Sequence, residues 1–366
     1  MRLRELRVDD YAGVAEALTR NGLRTPTRDQ WDYFWKGPPH RERLDGIPFG
    51  WALDEREAIV GTFRNIPFLY EWNCRPIRVV VASAWAVDED VRRHSLMLAT
   101  AYFKQTGVDV LLNTTAVLET SGKAFLAFRA SRVPQPAYTA RMLWITGYRG
   151  FAANYLREHH LPAALLQYPA AFGFWAGDSA SRVSRIAAGA CRAAAFDQRF
   201  DRFWNVLRAT RDRLQAVRDA ASLRWRYALE REPPLIAVVR QDEDIVGYAV
   251  LVRRESAALR RLELADIQAA GDDPEILRAV MTGALDMARA DGIHLVAMTG
   301  HCEAKRRALS ALGPHVKVAG GWPLYYKAVD PALVEPLAAS AAWDLSLYDG
   351  DALWSGMFQS QSAEMS

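Results

Sequence analysis

The stretch VDEDVRRHSLMLATAYFKQ (87–105) sets Arg92, Arg93 and His94 at the start of an amphipathic helical pattern. Cations at a helix N-terminus oppose the helix dipole by roughly 0.3–1 kcal/mol each, so their placement favours an anionic ligand. Arginine supplies bidentate, charge-assisted bonds to phosphate. The plainer reading is a solvated first turn. Just upstream, RVVVASAWA (78–86) is strand-like, and Ser83 and Trp85 alternate with Ala84 and Ala86. One face is therefore small and the other carries a hydroxyl and an indole. Trp85 can wall a substrate cleft or fill a core. Thr114 and Thr115 end the strand-like VDVLLNTTA. Hydroxyls there either reach a cleft or cap the next helix. The strand-like LRRLELADIQA carries Glu263 and Asp266. Period two puts them on opposite faces, with Asp266 on the face of Leu262 and Leu264. Asp266 is thus the acid expected to be buried, with a raised pKa suited to a general base. The alternative is a strand-end acid facing solvent or an arginine. Trp225, within LRWRY, ends a helical stretch and either meets a ligand or braces a domain interface.

Other chemistries lack their residues. No Gly-x-Ser-x-Gly, HExxH or Walker sequence occurs, which argues against common hydrolase, zincin and NTPase sites. His159 and His160 have no third ligand at metal spacing, so no metal is assigned. Cys74, Cys191 and Cys302 are widely spaced, an odd count that suits a reducing cytosol. The net charge of +3 is well short of a nucleic-acid coat, so no DNA partner is expected. The charged start MRLRELRVDD lacks the apolar core of a signal peptide. The most apolar run, LPAALLQYPAAFGFWAG (161–177), is interrupted by Pro162 and Pro169 and reads as an interdomain segment rather than a transmembrane span. A cytoplasmic protein is expected.

The elements that must position these residues follow a pattern. At 366 residues the chain has room for two domains. Strand-like LRELRV is followed by helical DYAGVAEALTRNG and TRDQWDYFWKG. Then come the strands FGWALDE, IVGTFRNIPFLYEW and RPIRVVVASAWAV, the helix after Arg92, strand VDVLLNTTA, helix LETSGKAFLAFRAS and strand ARMLWITGY. NCRP between two of the strands suits a hairpin turn. The second half runs a similar course. A long helical stretch pauses near Arg218, strands flank an acidic turn, and a helix follows with Asp273 as N-cap and Pro274 at its first position. The fold class expected is α/β with mixed sheets (α+β character), in two tandem units. The domains are set at 1–150 and 201–345, joined by 151–200, with a flexible tail over 346–366.

This order, with an Arg-bearing turn after a long strand, resembles the GCN5-related N-acetyltransferase (GNAT) superfamily. The tandem arrangement is also similar to Fem-type aminoacyl transferases. In GNAT proteins the turn reads Arg/Gln-x-x-Gly-x-Gly/Ala, and its backbone N–H groups hold the pyrophosphate of acetyl-CoA. Here Arg92 fits, Ser95 stands at the first glycine and Met97 at the second. The resemblance implies donor contacts from Ala86, Val87, Arg92, Arg93, His94, Ser95 and Leu96, and a pantetheine contact from Asn113. The helix that often carries a general-acid Tyr reads SGKAFLAFRAS, with none. In the second unit Asp272, Asp273 and Glu275 would repel a phosphate, so the first unit is the expected donor site.

The expected function is transfer of an acyl group from a thioester to an amine or hydroxyl. Ser83, Thr115 and Asp266 are the catalytic candidates, and Trp85, Thr114 and Trp225 the substrate contacts. The donor implied is acetyl-CoA or another acyl-CoA, or the phosphopantetheine arm of an acyl carrier protein. The acceptor is a small molecule, and the Ala- and Arg-rich composition suggests a bacterial cell-envelope or natural-product setting. Two alternatives stand beside it: a non-catalytic binding protein that keeps the fold, and an aminoacyl-tRNA-dependent transferase.

Overall fold

The computed structural model describes residues 1–114, 119–135, 140–181, 189–254, 259–318 and 324–351. Thr115 lies outside them. The first half builds β1 (Arg2–Glu5), α1 (Tyr11–Arg20), α2 (Arg28–Lys36), β2 (Gly50–Glu55), β3 (Ala58–Trp72), β4 (Arg75–Val87), α3 (Ser95–Lys104), β5 (Val110–Asn113), α4 (Glu119–Ala127), β6 (Ser131–Arg132) and β7 (Ala140–Ile145). Local chemistry sets several boundaries. Thr27 and Gln30 form a capping box at the start of α2, which buries Trp31 and Phe34, one turn apart. Trp72 pairs with Arg75 across Asn73 and Cys74, both at positive φ, which makes a tight hairpin of NCRP.

The chain continues through α5 (Tyr148–Glu158), α6 (Ala163–Ser181), β8 (Ala190–Arg192), α7 (Gln198–Thr210), β9 (Gln215–Ala216), α8 (Ala220–Tyr227), β10 (Leu235–Gln241), β11 (Asp244–Arg253), β12 (Arg261–Ala269), α9 (Pro274–Ala290), β13 (Leu295–Met298), α10 (Glu303–Ser310), β14 (His315–Val318) and β15 (Tyr325–Ala328). Asp273 and Pro274 start α9 as their types require. Its Leu277, Val280, Met281, Ala284 and Ala288 recur every three to four residues and are buried on the second sheet. Each large member contributes roughly 1.5–3 kcal/mol of burial.

Two mixed sheets result, ordered β1-β2-β3-β4-β5-β15-β6 and β14-β7-β13-β12-β11-β10-β8, with β9 paired to β3. The orders match strand for strand, so the repeated unit is real at the level of topology. The repeat also trades strands. ARMLWITGY, expected to complete the first unit, forms β7 and pairs with β13 in the second sheet. In return β15 pairs with β5 in the first.

Separate cores cover the α3–α4 face of the first sheet and the α9 face of the second. The largest core lies between the units. It joins Phe68, Val79 and Val81 of the first sheet to Tyr248 and Val250 of the second, through Phe200, Trp204, Leu223, Trp343 and Tyr348. Trp343 and Tyr348 belong to the stretch after β15. Residues 346–351, expected to begin a flexible tail, are instead buried between the units, with Leu347 and Asp349 in a short 3-10 turn. Among the described residues no helix is long and apolar enough to cross a membrane.

Candidate active site

Among the described residues strands β4 and β5 pair in parallel over three rungs, Val79–Val110, Val80–Leu111 and Val81–Leu112. β4 then continues to Val87 with β3 as its one partner among the described residues. The hydroxyl of Tyr102, from α3, sits where the strands part, 3.2 Å from the Val80 carbonyl oxygen and 3.1 Å from that of Leu112. It gives those carbonyls a donor at the apex of the gap. Burial raises its pKa, so it stays protonated. Trp85 stacks on Phe63, and Phe63 on Tyr102, at 5.0 and 4.7 Å. This column closes the α3 side. Past the parting, a bulge with Ala84 at φ 48° bends β4. Ser83, Ala84 and Trp85 are half-exposed in an otherwise buried part of the strand. The opening is there.

The C-terminal segment reaches this opening. Ser83 Oγ donates to Asp351 Oδ2 at 2.9 Å. Gly350 passes so close to Thr114 that a Cβ on it would stand 2.3 Å from the threonine Oγ1. Buried arginines hold the segment in place. Arg226 donates to the carbonyls of Leu347 (3.0 Å) and Gly350. Arg218 lies over the Tyr348 ring and contacts Asp349 at 3.3 Å. Tyr70 of β3 also reaches Asp349, at 3.1 Å.

The other sequence candidates divide. Arg92, Arg93 and His94 lie in a 3-10 turn leading into α3, whose first amides have no side-chain cap. Arg92 and Arg93 are exposed, and neither has a carboxylate partner among the described residues; the Arg93 Nε–H donates to His94 at 3.2 Å. Ser95 opens α3 and Leu96 is exposed beside it. Ala86 and Val87 are buried opposite Thr62 and Gly61 of β3. Asn113 is buried opposite Tyr325, and Thr114 borders the opening. Trp225 is packed edge-on against Phe68 at 5.8 Å, which places it in the interdomain core.

Asp266 requires a correction. It is fully buried, but so is Glu263, because both faces of β12 are covered. Nor is its pKa raised. Burial pushes it up, but Arg218 at 2.9 Å, Lys305, and hydrogen bonds from Tyr248 (2.6 Å) and Gln268 (2.7 Å) outweigh that and hold it below the usual carboxylate range. It is one end of an ion pair, not a poised base. The parting of β12 from β13 after Leu264 is moreover sealed. Lys305 Nζ fills it, donating to the Ile267 carbonyl (2.7 Å), Gln268 Oε1 (3.0 Å) and Asp344 Oδ2 (2.5 Å). At the start of α9, Asp273 Oδ1 accepts from the amides of Glu275 and Ile276 that a phosphate would need.

Sequence reasoning missed Asp351, Tyr102 and Arg218. A signal for the first existed: WDLSLYDGD (343–351) is too rich in large apolar residues for a solvated tail.

No protein-family model matches the chain, and no curated protein matches it. Solved structures do. A probable N-acyltransferase of Enterococcus faecalis superposes with TM-score 0.56 at 11% identity, over 90% of this chain and 72% of that one. A GCN5-related N-acetyltransferase from Kribbella flavida gives 0.56 at 13%, over 92% and 72%. N-myristoyltransferase of Saccharomyces cerevisiae, with bound myristoyl-CoA, gives 0.52 at 12%, over 89% and 81%. The element order, the parted parallel strands and these superpositions agree: the chain has the fold of the GCN5-related N-acetyltransferases, in two tandem units.

Proposed function

We propose that the protein is an acyltransferase whose first unit carries the chemistry. The observation that carries this reading is the Ser83–Asp351 pair in the open parting of β4 and β5. The solved neighbours support acyl transfer as the reaction class. The donor is an acyl-CoA or a carrier-bound phosphopantetheine thioester. Its phosphates lie against Arg92, Arg93 and the uncapped amides of α3, and its arm follows the β4 edge beyond Val81. Backbone N–H groups on that edge polarise the thioester carbonyl. An amine attacks the carbonyl carbon and forms the C–N bond, the C–S bond breaks, and the amine's proton passes to Asp351 and from it to the departing thiolate, which leaves as the thiol. In the second unit Lys305 occupies the corresponding place, which supports assigning the chemistry to the first.

The test is thiol release from acetyl-CoA and longer acyl-CoAs with a panel of primary amines. Asp351→Asn should lower kcat by about 100-fold or more while acyl-CoA affinity holds. The Arg92→Ala, Arg93→Ala double variant should weaken donor binding by about 10- to 100-fold, less so at high salt. Donor binding that ignores the arginines, or turnover that ignores Asp351, would overturn the assignment.

A further inference from the structure

Arg64 of β3 is paired across the sheet with Ser83, the residue that holds Asp351. Its guanidinium lies over the rings of Phe34 and Trp31, 4.9 and 5.6 Å from their centroids. Rings against its face leave the N–H edge free, the geometry that grips a carboxylate in two parallel bonds. Yet no group among the described residues accepts a hydrogen bond from the Arg64 guanidinium, and its Nε is buried without a partner. Burial pushes the guanidinium down to about 10, with Asp351 the one nearby charge that supports it. The residue is half-buried, so the guanidinium is not sealed from solvent, and its enclosed Nε gives up hydration that no described protein group replaces. Ser83, Ala84, Trp35 and Phe49 are each half-exposed, and Trp35 Nε1 is a second buried donor without a partner among the described residues.

We infer that Arg64 is the anion-binding subsite for the acceptor, which is an amino acid: a primary amine with a neighbouring carboxylate and an apolar side chain. This rests on the acyltransferase reading and names its acceptor class. The carboxylate meets the N–H edge of Arg64, and the amine lies toward Asp351, one strand away on the same opening. The side chain lies against Trp35 and Phe49, whose rings are 4.8 Å apart. Asp351 favours an amine and disfavours a second carboxylate next to it, so a simple dicarboxylate is excluded.

The test is calorimetric titration of the full chain with L-phenylalanine and with phenethylamine, which lacks only the carboxylate. The wild type should bind L-phenylalanine about 10- to 100-fold more tightly. Arg64→Gln should abolish that preference while phenethylamine binding persists, which also reports that the variant is folded. Arg64→Lys should restore part of the preference. Equal affinity for the two ligands, no binding of either, or a preference that survives Arg64→Gln would each overturn the inference. Thiol release from acetyl-CoA is read in parallel. A carboxylate preference dependent on Arg64 without any acyl transfer would leave the subsite standing and defeat the catalytic reading instead.

Discussion

Replacing Arg218 by Met should lower the free energy of unfolding by about 3–5 kcal/mol at pH 7. The guanidinium is fully buried, bonds Asp266 at 2.9 Å and the Ala216 carbonyl at 2.9 Å, and approaches Asp349 at 3.3 Å. Methionine fills much of the volume but removes the one cation both carboxylates share. Asp266 keeps Tyr248 and Gln268, and Asp349 keeps Tyr70 and the amide of Ser346, so what is lost is chiefly charge. The consequence is pH-dependent, with a definite sign. In the wild type Asp266 sits below its ordinary value, so its contribution is present above the unfolded pKa and is lost as pH falls through the folded one. In the variant, burial without Arg218 raises Asp266 and lifts Asp349, already above its ordinary value in the wild type, further. A raised carboxyl costs stability at neutral pH and ceases to cost it once protonated. The gap between wild type and variant should therefore narrow as pH falls from 7 toward 4. Urea unfolding followed by tryptophan fluorescence at several pH values measures it. A loss under about 1 kcal/mol, or one constant with pH, would refute the ion-pair account.

Further outcomes follow from other residues. Burial holds the His301 imidazole at about 4, and no partner among the described residues accepts from or donates to its ring. The unfolded chain binds that proton near 6.5, so stability falls as pH drops from 6.5 toward 4, by about 3 kcal/mol in all. His301→Asn, which tolerates the φ of 67° there, should flatten that dependence in the same unfolding series. Gly50 has φ 134° and a built Cβ would lie 2.4 Å from the Phe63 carbonyl, so Gly50→Ala should destabilise by more than about 1 kcal/mol in urea unfolding. Gly350→Ala should displace Asp351 and cut turnover with little change in stability, and adding Thr114→Ala should recover part of it, a coupling readable in a double-mutant cycle.

Much of the fold was legible because its signals are local. The NCRP turn, the Asp273–Pro274 helix start and the order of elements depend on neighbours within a few residues. The exchange of β7 and β15 was not, since each strand carries the same apolar pattern whichever edge it joins. Arg218 read as a pause in a charged helical stretch, and nothing nearby in sequence says that Asp266 and Asp349 converge on it. Asp266 shows the same limit. Its burial followed from its neighbours in β12, but the direction of its pKa is set by Arg218, 48 residues away. At the candidate site, Ser83 was visible as a hydroxyl on a strand. Its partner Asp351 lies 268 residues on, and Arg64 gained its meaning only from the strand opposite.

The traded strands carry a consequence for how the chain is born. β5 finds its outer neighbour, β15, only after about 210 further residues have been made, and until then the first sheet ends on an open parallel edge. β7 is the mirror case: it is synthesised early and waits for β13. Neither half can close on the ribosome by itself, and a nascent first half is a template for the wrong partner, including a second nascent copy. The parting of β4 and β5 is therefore bordered completely only once residues 325–351 have been made. The segment that brings Asp351 to Ser83 follows β15, so a chain stalled before residue 325 lacks both the outer neighbour of β5 and the partner of Ser83.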